Sequence, residues 1–383
     1  MRLERRQSPS CGDAYRHLGM TLAISMAFAA CRSPEVFGQD TRQPVATLTP
    51  AAPIRLPGAV DSNSPAVWLL EGGEPHLRVL TSTSGWPSLA VGAGLSRLGP
   101  ATPVGWINHP GHGVWMESVI TDDVGTWYGF YHNEIPAELC DREDRMLPRI
   151  GAARSHDAGV TWEDLGPILE APPGWHECAT PNRYFVGGVG DVSVVLDHEG
   201  KYLYLFFSQY SRYAWAQGVA QARLLWAARD EPVGRVEVRA DDIWRPATHH
   251  MEVDEAGQQH ASWVYDPGTP LLPVLHPWHD ADRATDAFWG ASVHWNTHLQ
   301  QYVMLVNRTK DEQFGQEGIY VAYTPTLEDP GAWTVPTRLI GGGSWYPQVV
   351  GLQQGQGTDA VAGARARYFQ GGVSNYFIDF AYR

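Results

Sequence analysis

Apolar and polar positions alternate in short runs along most of the chain, and the runs come in pairs. DSNSPAVWLLEGGEPHLRVLTSTS (61–84), ESVITDDVGTWYGFYHNE (117–134), DVSVVLDHEGKYLYLFFSQYS (191–211) and ASVHWNTHLQQYVMLVNRTKD (291–311) share one grammar. Each has a small or acidic residue, an apolar strand, a tight turn and a second strand rich in aromatics. A weaker fifth copy, WYPQVVGLQ…ARARYFQGG, lies at 345–372. Period-two alternation between turn residues predicts strands, and its recurrence predicts a repeat fold.

Third strands follow at RIGAARS (149–155), QGVAQARLLWA (217–227) and EGIYVAYT (317–324), and fourth strands at VTWEDLG, GRVEVRA and GAWTVPTRLI. Four antiparallel strands per unit, repeated five times, predict an all-β, five-bladed β-propeller over residues 55–383. The 16 Trp, 16 Tyr and 40 Gly of the 383 residues suit short strands joined by tight turns.

The N-terminal segment has a different pattern. Arg2, Arg5, Arg6 and Arg16 precede the apolar run MTLAISMAFAA (20–30), which is too short to span a bilayer and reads as an export signal over residues 1–31. The ending FAAC resembles a bacterial lipobox, which marks Cys31 for lipidation, against plain cleavage as the alternative. Residues 32–54, rich in Pro and small polar residues, read as a linker. The expected location is therefore outside the cytoplasm, with membrane contact only through a lipid on Cys31. Cys140 and Cys178 remain in the mature domain, and in an oxidising compartment they predict a disulfide rather than a metal pair.

The net charge of −14 argues against nucleic acid and anionic membranes as partners. No G-x-x-x-x-G-K-[ST], G-x-S-x-G or H-E-x-x-H run is present, which removes support for nucleotide, serine-hydrolase and zincin chemistry.

In a propeller the starts of the first strands, the ends of the second and the starts of the third gather on one face. The first-strand starts give Asp61, Glu117, Asp191, Ser292 and Tyr346. The second-strand ends give Thr81, Ser82, His132, Asn133, Glu134, Gln209, Asn307 and Arg308, and the third-strand starts give Arg149, Gln217 and Glu317. Trp86, Trp115, Trp289 and Trp345 lie near the same rim. Carboxylates beside indoles and amides suit an oligo- or polysaccharide, whose C–H faces stack on aromatics and whose hydroxyls need polar partners.

The hairpin SHDAGVTW (155–162) resembles the Asp-box of sialidases, and LEDPGAWT (327–334) resembles a decayed copy. That resemblance implies an architectural role on the outer rim. The blade-start acids resemble glycoside hydrolase families 43, 32, 62 and 117, and the run from WYGFYHNE to FWGASVHWNT is similar to secreted bacterial propellers. The resemblance implies a carboxylate-pair glycosidase. It casts Asp61 as base, Glu117 as general acid and Asp191 as the neighbour that tunes or orients it. Departures from the family 43 pattern are a Glu at the blade-two position and no acid in GASVHW. WHEC (175–178) is similar to the family 32 Glu-Cys motif but precedes its blade, which leaves Glu177 and Glu317 as reserve acids. Glu134 is expected to anchor a sugar hydroxyl or orient His132.

His109, His112, His132 and His294 are candidates to line the tunnel and help hold a structural Ca2+, although no protein metal ligand is assigned. A sialidase-type hydrolase, with Arg149, Arg183 and Arg308 around a substrate carboxylate, and a non-catalytic glycan-binding propeller are the competing expectations.

Overall fold

Five sheets are arranged as the blades of one ring in the computed structural model, which describes residues 42–253, 259–265, 267–272, 276 and 286–383. The export signal, Cys31 and residues 32–41 of the expected linker lie outside the described residues. Blade one is Ala66–Glu71, Glu74–Thr83, Trp86–Gly92 and Thr102–Pro103. Blade two is Gly113–Thr121, Trp127–Ala137, Arg142–Ser155 and Thr161–Leu169, with Gly105–Asn108 added in parallel at its outer edge. Blade three runs Val189–Leu196, Tyr202–Gln209, Gly218–Leu225, Glu237–Ala240 and Ile243–Pro246. Blade four is Phe288–Asn296, Gln301–Thr309, Gln316–Thr324 and Thr337–Gly341, with the short Val361–Ala362 beside its innermost strand.

Blade five corrects the sequence reading. Its first three strands are Pro347–Gly351, Arg365–Gln370 and Val373–Tyr382, but its outermost strand comes from the other end of the chain. Pro44–Arg55, expected to be linker, pairs antiparallel with Val373–Tyr382 from Pro44↔Tyr382 to Arg55↔Val373. Prolines 44, 50 and 53 disguise the strand in the sequence. An edge strand tolerates them because one side of it needs no ladder donors, and the register slips between Pro50 and Ile54.

The core is divided among the gaps between blades. Phe130, Ile150, Val194, Leu205 and Phe207 fill the gap between blades two and three, and Tyr204, Phe206, Val293 and Met304 fill the next. Middle strands are packed on both faces, so YLYLFFSQ (202–209) is buried along almost its whole length. Polar clips repeat across the blade boundaries. Ser82 Oγ accepts from Met116 N–H, Ser118 Oγ from Val194 N–H and Ser193 Oγ from Val293 N–H, at 2.9–3.0 Å. The last two belong to the repeated Ser-Val dipeptides at 118–119 and 193–194, and each satisfies a buried backbone donor across a blade boundary.

The hairpin at 155–162 joins the third and fourth strands of blade two, at the end of the blade away from Glu134. Ser155 Oγ donates to Asp157 Oδ1 and accepts from Gly159 N–H; Asp157 Oδ1 also accepts from Thr161 N–H, and the buried Trp162 indole donates to Gly159 O. These contacts are all internal to the blade.

Candidate active site

The first-strand starts of the blades converge on one pocket at an end of the ring. Asp61, Trp115, His132, Glu134, Asp191, Trp289, Trp345 and Tyr346 line it, together with Tyr184, Phe185 and Phe314. Backbone irregularity aims several of these groups. The innermost strands of blades two, three and four slip register at Met116/Ser118, Gly190/Ser193 and Trp289/Ser292, and the slips contain Glu117, Asp191 and Gly290. Such bulges re-aim side chains next to functional sites. Asp191 and Tyr346 hold the left-handed conformation at φ 45° and 56°, a strained state for residues with side chains.

His132 sits at the centre of the polar cluster. Its Nδ1 accepts the backbone N–H of Asp191 at 3.0 Å, and its Nε2 faces Glu134 Oε1 at 3.4 Å. The ring proton therefore belongs on Nε2, toward Glu134. Burial works to lower the histidine pKa, but the Glu134 contact and the charges of Asp191, Glu134 and Glu117 outweigh it and raise it to about 9. A second proton would have to displace the Asp191 N–H from Nδ1.

Asp191 is buried, and its Oδ2 accepts from the Tyr210 hydroxyl. Burial raises its pKa against the opposing pull of His132 and Tyr210. Glu117 is deeper still, at 2% exposure, and its Oε2 accepts from Val192 N–H across the blade boundary. Burial first, and Asp191 second, push its pKa well above the usual carboxyl range. Asp61 stands at the solvent-open mouth, where partial burial followed by the charges of Asp191 and Glu134 raises it to about 6. Burial and the surrounding carboxylates keep the Tyr346 and Tyr210 phenols protonated.

Glu117, expected as general acid, thus lies beneath the pocket and is not among the residues lining it. Other expected site residues are engaged elsewhere. Asn307 is buried and donates to the Trp289 and Gly290 carbonyls, while Gln217 is fully buried. Arg149 pairs with Glu170 and donates to Asn133 Oδ1, and Glu317 pairs with Arg338. Arg308 donates to the Tyr320 hydroxyl, and Arg183 to that of Tyr184. Among the described residues no arginine lines the pocket, and Arg149, Arg183 and Arg308 are not brought together there. Trp86 is exposed at the start of the third strand of blade one against His109, outside the pocket lining. Glu177 pairs with Arg212 at 3.6 Å.

The pocket wall holds what the sequence reading overlooked. Tyr184 and Phe185 come from the long connection between blades two and three and Phe314 from a blade-four loop, while Tyr210, from the second-to-third-strand loop of blade three, stands behind the lining against Asp191. Loops carry no periodicity to expose such residues, although the doublet Tyr184-Phe185 in a polar stretch was a usable signal. The expected disulfide is present, with Cys140 and Cys178 Cα atoms 5.2 Å apart, and ties that connection to the tight turn Glu138–Cys140 between the second and third strands of blade two.

Glu117, His132 and Asp191 could hold a metal ion, since one ligand atom from each lies within 4.8 Å of the others. The donor set does not fit the expected Ca2+, which takes about six to eight oxygens. Here an imidazole nitrogen is one of three donors, and one oxygen of each carboxylate already accepts a hydrogen bond. His294 does not join the cluster; it is buried against Phe380, with its pKa lowered to about 3 by burial.

No protein-family model matches the chain, and no curated protein is similar to it in sequence. Solved structures are similar in fold. The endo-arabinase from Bacteroides thetaiotaomicron VPI-5482 is 12% identical with a TM-score of 0.48, over 86% of this chain and 98% of that one. A native Bacillus subtilis arabinanase is 13% identical with a TM-score of 0.43, over 84% and 96%. A thermostable family-43 glycoside hydrolase is 11% identical with a TM-score of 0.44, over 86% and 92%. Similarities at this level concern blade architecture and carry no activity over to this chain.

Proposed function

We propose that this protein is an exported glycoside hydrolase that works with carboxylates in the axial pocket. The observation that carries the reading is the meeting of Asp61, Glu134 and Asp191 from three blades within one aromatic-walled pocket. Its indole donors support a hydroxylated ligand: Trp115 and Trp289 line the pocket, and their buried N–H groups have no partner among the described residues.

The roles differ from the sequence expectation. In this reading Asp61, raised to about 6 at the open mouth, donates a proton to the leaving oxygen of a glycosidic bond. Glu134, facing the Nε2 edge of His132, is the second carboxylate and activates the attacking water or forms the glycosyl intermediate. Asp191 and His132 form the pocket floor beside Glu134, and Glu117 beneath them helps hold that floor in place. A Tyr nucleophile of the sialidase kind is disfavoured, because the phenols of Tyr346 and Tyr210 are held protonated.

The test is sugar release from arabinan, xylan, fructan, galactan and sialylated substrates by the chain from residue 42 onward. Asp61→Asn and Glu134→Gln should each lower the rate by about 100- to 10,000-fold without lowering the melting temperature. Undiminished release by both variants would refute the assignment. Binding without release by the wild-type protein would favour the non-catalytic glycan-binding reading.

A further inference from the structure

We infer that Trp175, Tyr213 and Trp215 form a second carbohydrate-binding subsite, which holds a polysaccharide chain as it leaves the axial pocket on the side of blades two and three. The direction of the chain rests on the glycan reading of the pocket; the presence of the subsite rests on the following geometry.

The three rings form one cluster. Tyr213 and Trp215 lie nearly parallel, 27° apart with centroids 5.8 Å apart, and Trp175 meets them edge-on at 5.4 and 5.0 Å. The cluster is not core. Trp215 is 66% exposed and Tyr213 38%, so two large apolar rings stand in water, where their burial by a ligand would be favourable.

Two segments joined to the pocket carry these rings. Residues 210–217 connect the second and third strands of blade three; this loop begins at Tyr210, whose hydroxyl donates to Asp191, and continues to Tyr213 and Trp215. Residues 170–188 connect blades two and three and carry Trp175, then Cys178 of the disulfide, then the pocket residues Tyr184 and Phe185. Arg212 N–H donates to Trp175 O, which laces the two segments together. Both pocket and cluster are therefore held on the same pair of stiffened loops.

The surrounding chemistry selects the ligand class. Arg212 stacks on Tyr213 with its guanidinium 5.4 Å from the ring centroid and is paired with Glu177. Among the described residues the rim therefore offers hydrogen-bonding groups, with its arginine, Arg212, already paired rather than free for a phosphate. With a chain charge of −14, stacking of nucleic acid bases is disfavoured. Ring faces bordered by neutralised polar groups suit the C–H faces and hydroxyls of uncharged sugar rings. A pocket plus a second, external ring platform requires a ligand longer than a single sugar.

Affinity electrophoresis in gels containing arabinan, xylan, galactan or levan tests this, with Asp61→Asn as the background so that the polymer is not consumed. That protein should be retarded in at least one gel. Adding Trp215→Ala should weaken retardation about tenfold, a typical loss for one stacking residue, and Trp215→Phe should restore most of it. Equal retardation with and without Trp215→Ala, or no retardation in any gel, would overturn the inference. A change from dimer to monomer by light scattering, with retardation unchanged, would also overturn it and assign the rings to self-association. If the wild-type chain releases no sugar but Trp215-dependent retardation persists, the hydrolase reading fails and the subsite stands.

Discussion

His132 Nδ1 accepts the backbone N–H of Asp191, at 3.0 Å, across the boundary between blades two and three. The contact joins a side chain to the one backbone position in the innermost strand of blade three that is left-handed. It requires close approach, because a Cβ on Gly190 would lie 2.4 Å from that same nitrogen. Gly190→Ala should therefore displace the imidazole, cost about 1–3 kcal/mol in overpacking and remove hydrolysis. Chemical denaturation and the hydrolysis panel check both parts. A Gly190→Ala protein with unchanged stability and turnover would mean that the ring is not fixed as described.

Asp61 sets a pH dependence with a definite sign. Its carboxyl is raised from 3.8 to about 6, so the folded protein binds this proton more tightly than the unfolded chain does. Ionisation thus works against folding as pH rises from about 4 through 6, and the penalty is complete above 6. Asp61→Asn should raise the melting temperature more at pH 8 than at pH 4. Turnover by the wild type should fall on the alkaline side of about 6 as the donor proton is lost. An Asn variant that gains nothing at pH 8 would contradict the raised value.

Glu117 should behave as a structural acid. It is buried and accepts from Val192 N–H, so Glu117→Gln keeps an acceptor and Glu117→Ala leaves a buried donor unpaired. The alanine variant should be about 1–3 kcal/mol less stable, and the glutamine variant close to wild type in stability. Urea midpoints distinguish the two. Comparable losses for both would show that the carboxylate charge, rather than its acceptor oxygen, is what matters at that boundary.

The disulfide closes a loop with a sequence separation of 38 between its cysteines. In the chain-entropy model such a closure is worth about 4 kcal/mol. Cys140→Ser should lower the melting temperature, and because Tyr184 and Phe185 share the tethered connection, it should also weaken substrate affinity. Unaltered KM in a destabilised variant would separate the staple from the pocket wall.

What could be read from sequence followed the physics of each element. Paired strands such as 117–134 announce themselves, because burial against neighbouring blades demands apolar and aromatic runs broken by turn residues. The placement of Asp61, Glu134 and Asp191 at one end followed from their positions at strand ends. The depth of Glu117 did not, since a one-residue bulge decides whether a side chain meets solvent or the next blade. Tyr184, Phe185 and Phe314 were hidden on loops, where tertiary packing alone brings them to the pocket. Pro44–Arg55 was misread because its composition is that of a linker, and only its pairing with the chain's last strand makes it part of a sheet.

That last pairing fixes an order of events. Thr49 donates to Asp379 across 330 positions of sequence, and the same ladder joins Gln43 to Arg383. The main strands of blades one to four each come from contiguous chain, whereas blade five is completed only when Pro44–Arg55 meets Val373–Tyr382. The loop entropy for this contact is the largest in the molecule, and non-local pairings of this kind slow folding. The ring therefore stays open until Pro44–Arg55 has paired with Val373–Tyr382, and until then Val373–Tyr382 presents an unpaired edge to any other chain nearby. The N-terminal strand is in this sense the protein's own safeguard against pairing with its neighbours, and a chain truncated to 56–383 should aggregate on refolding where one from residue 42 does not.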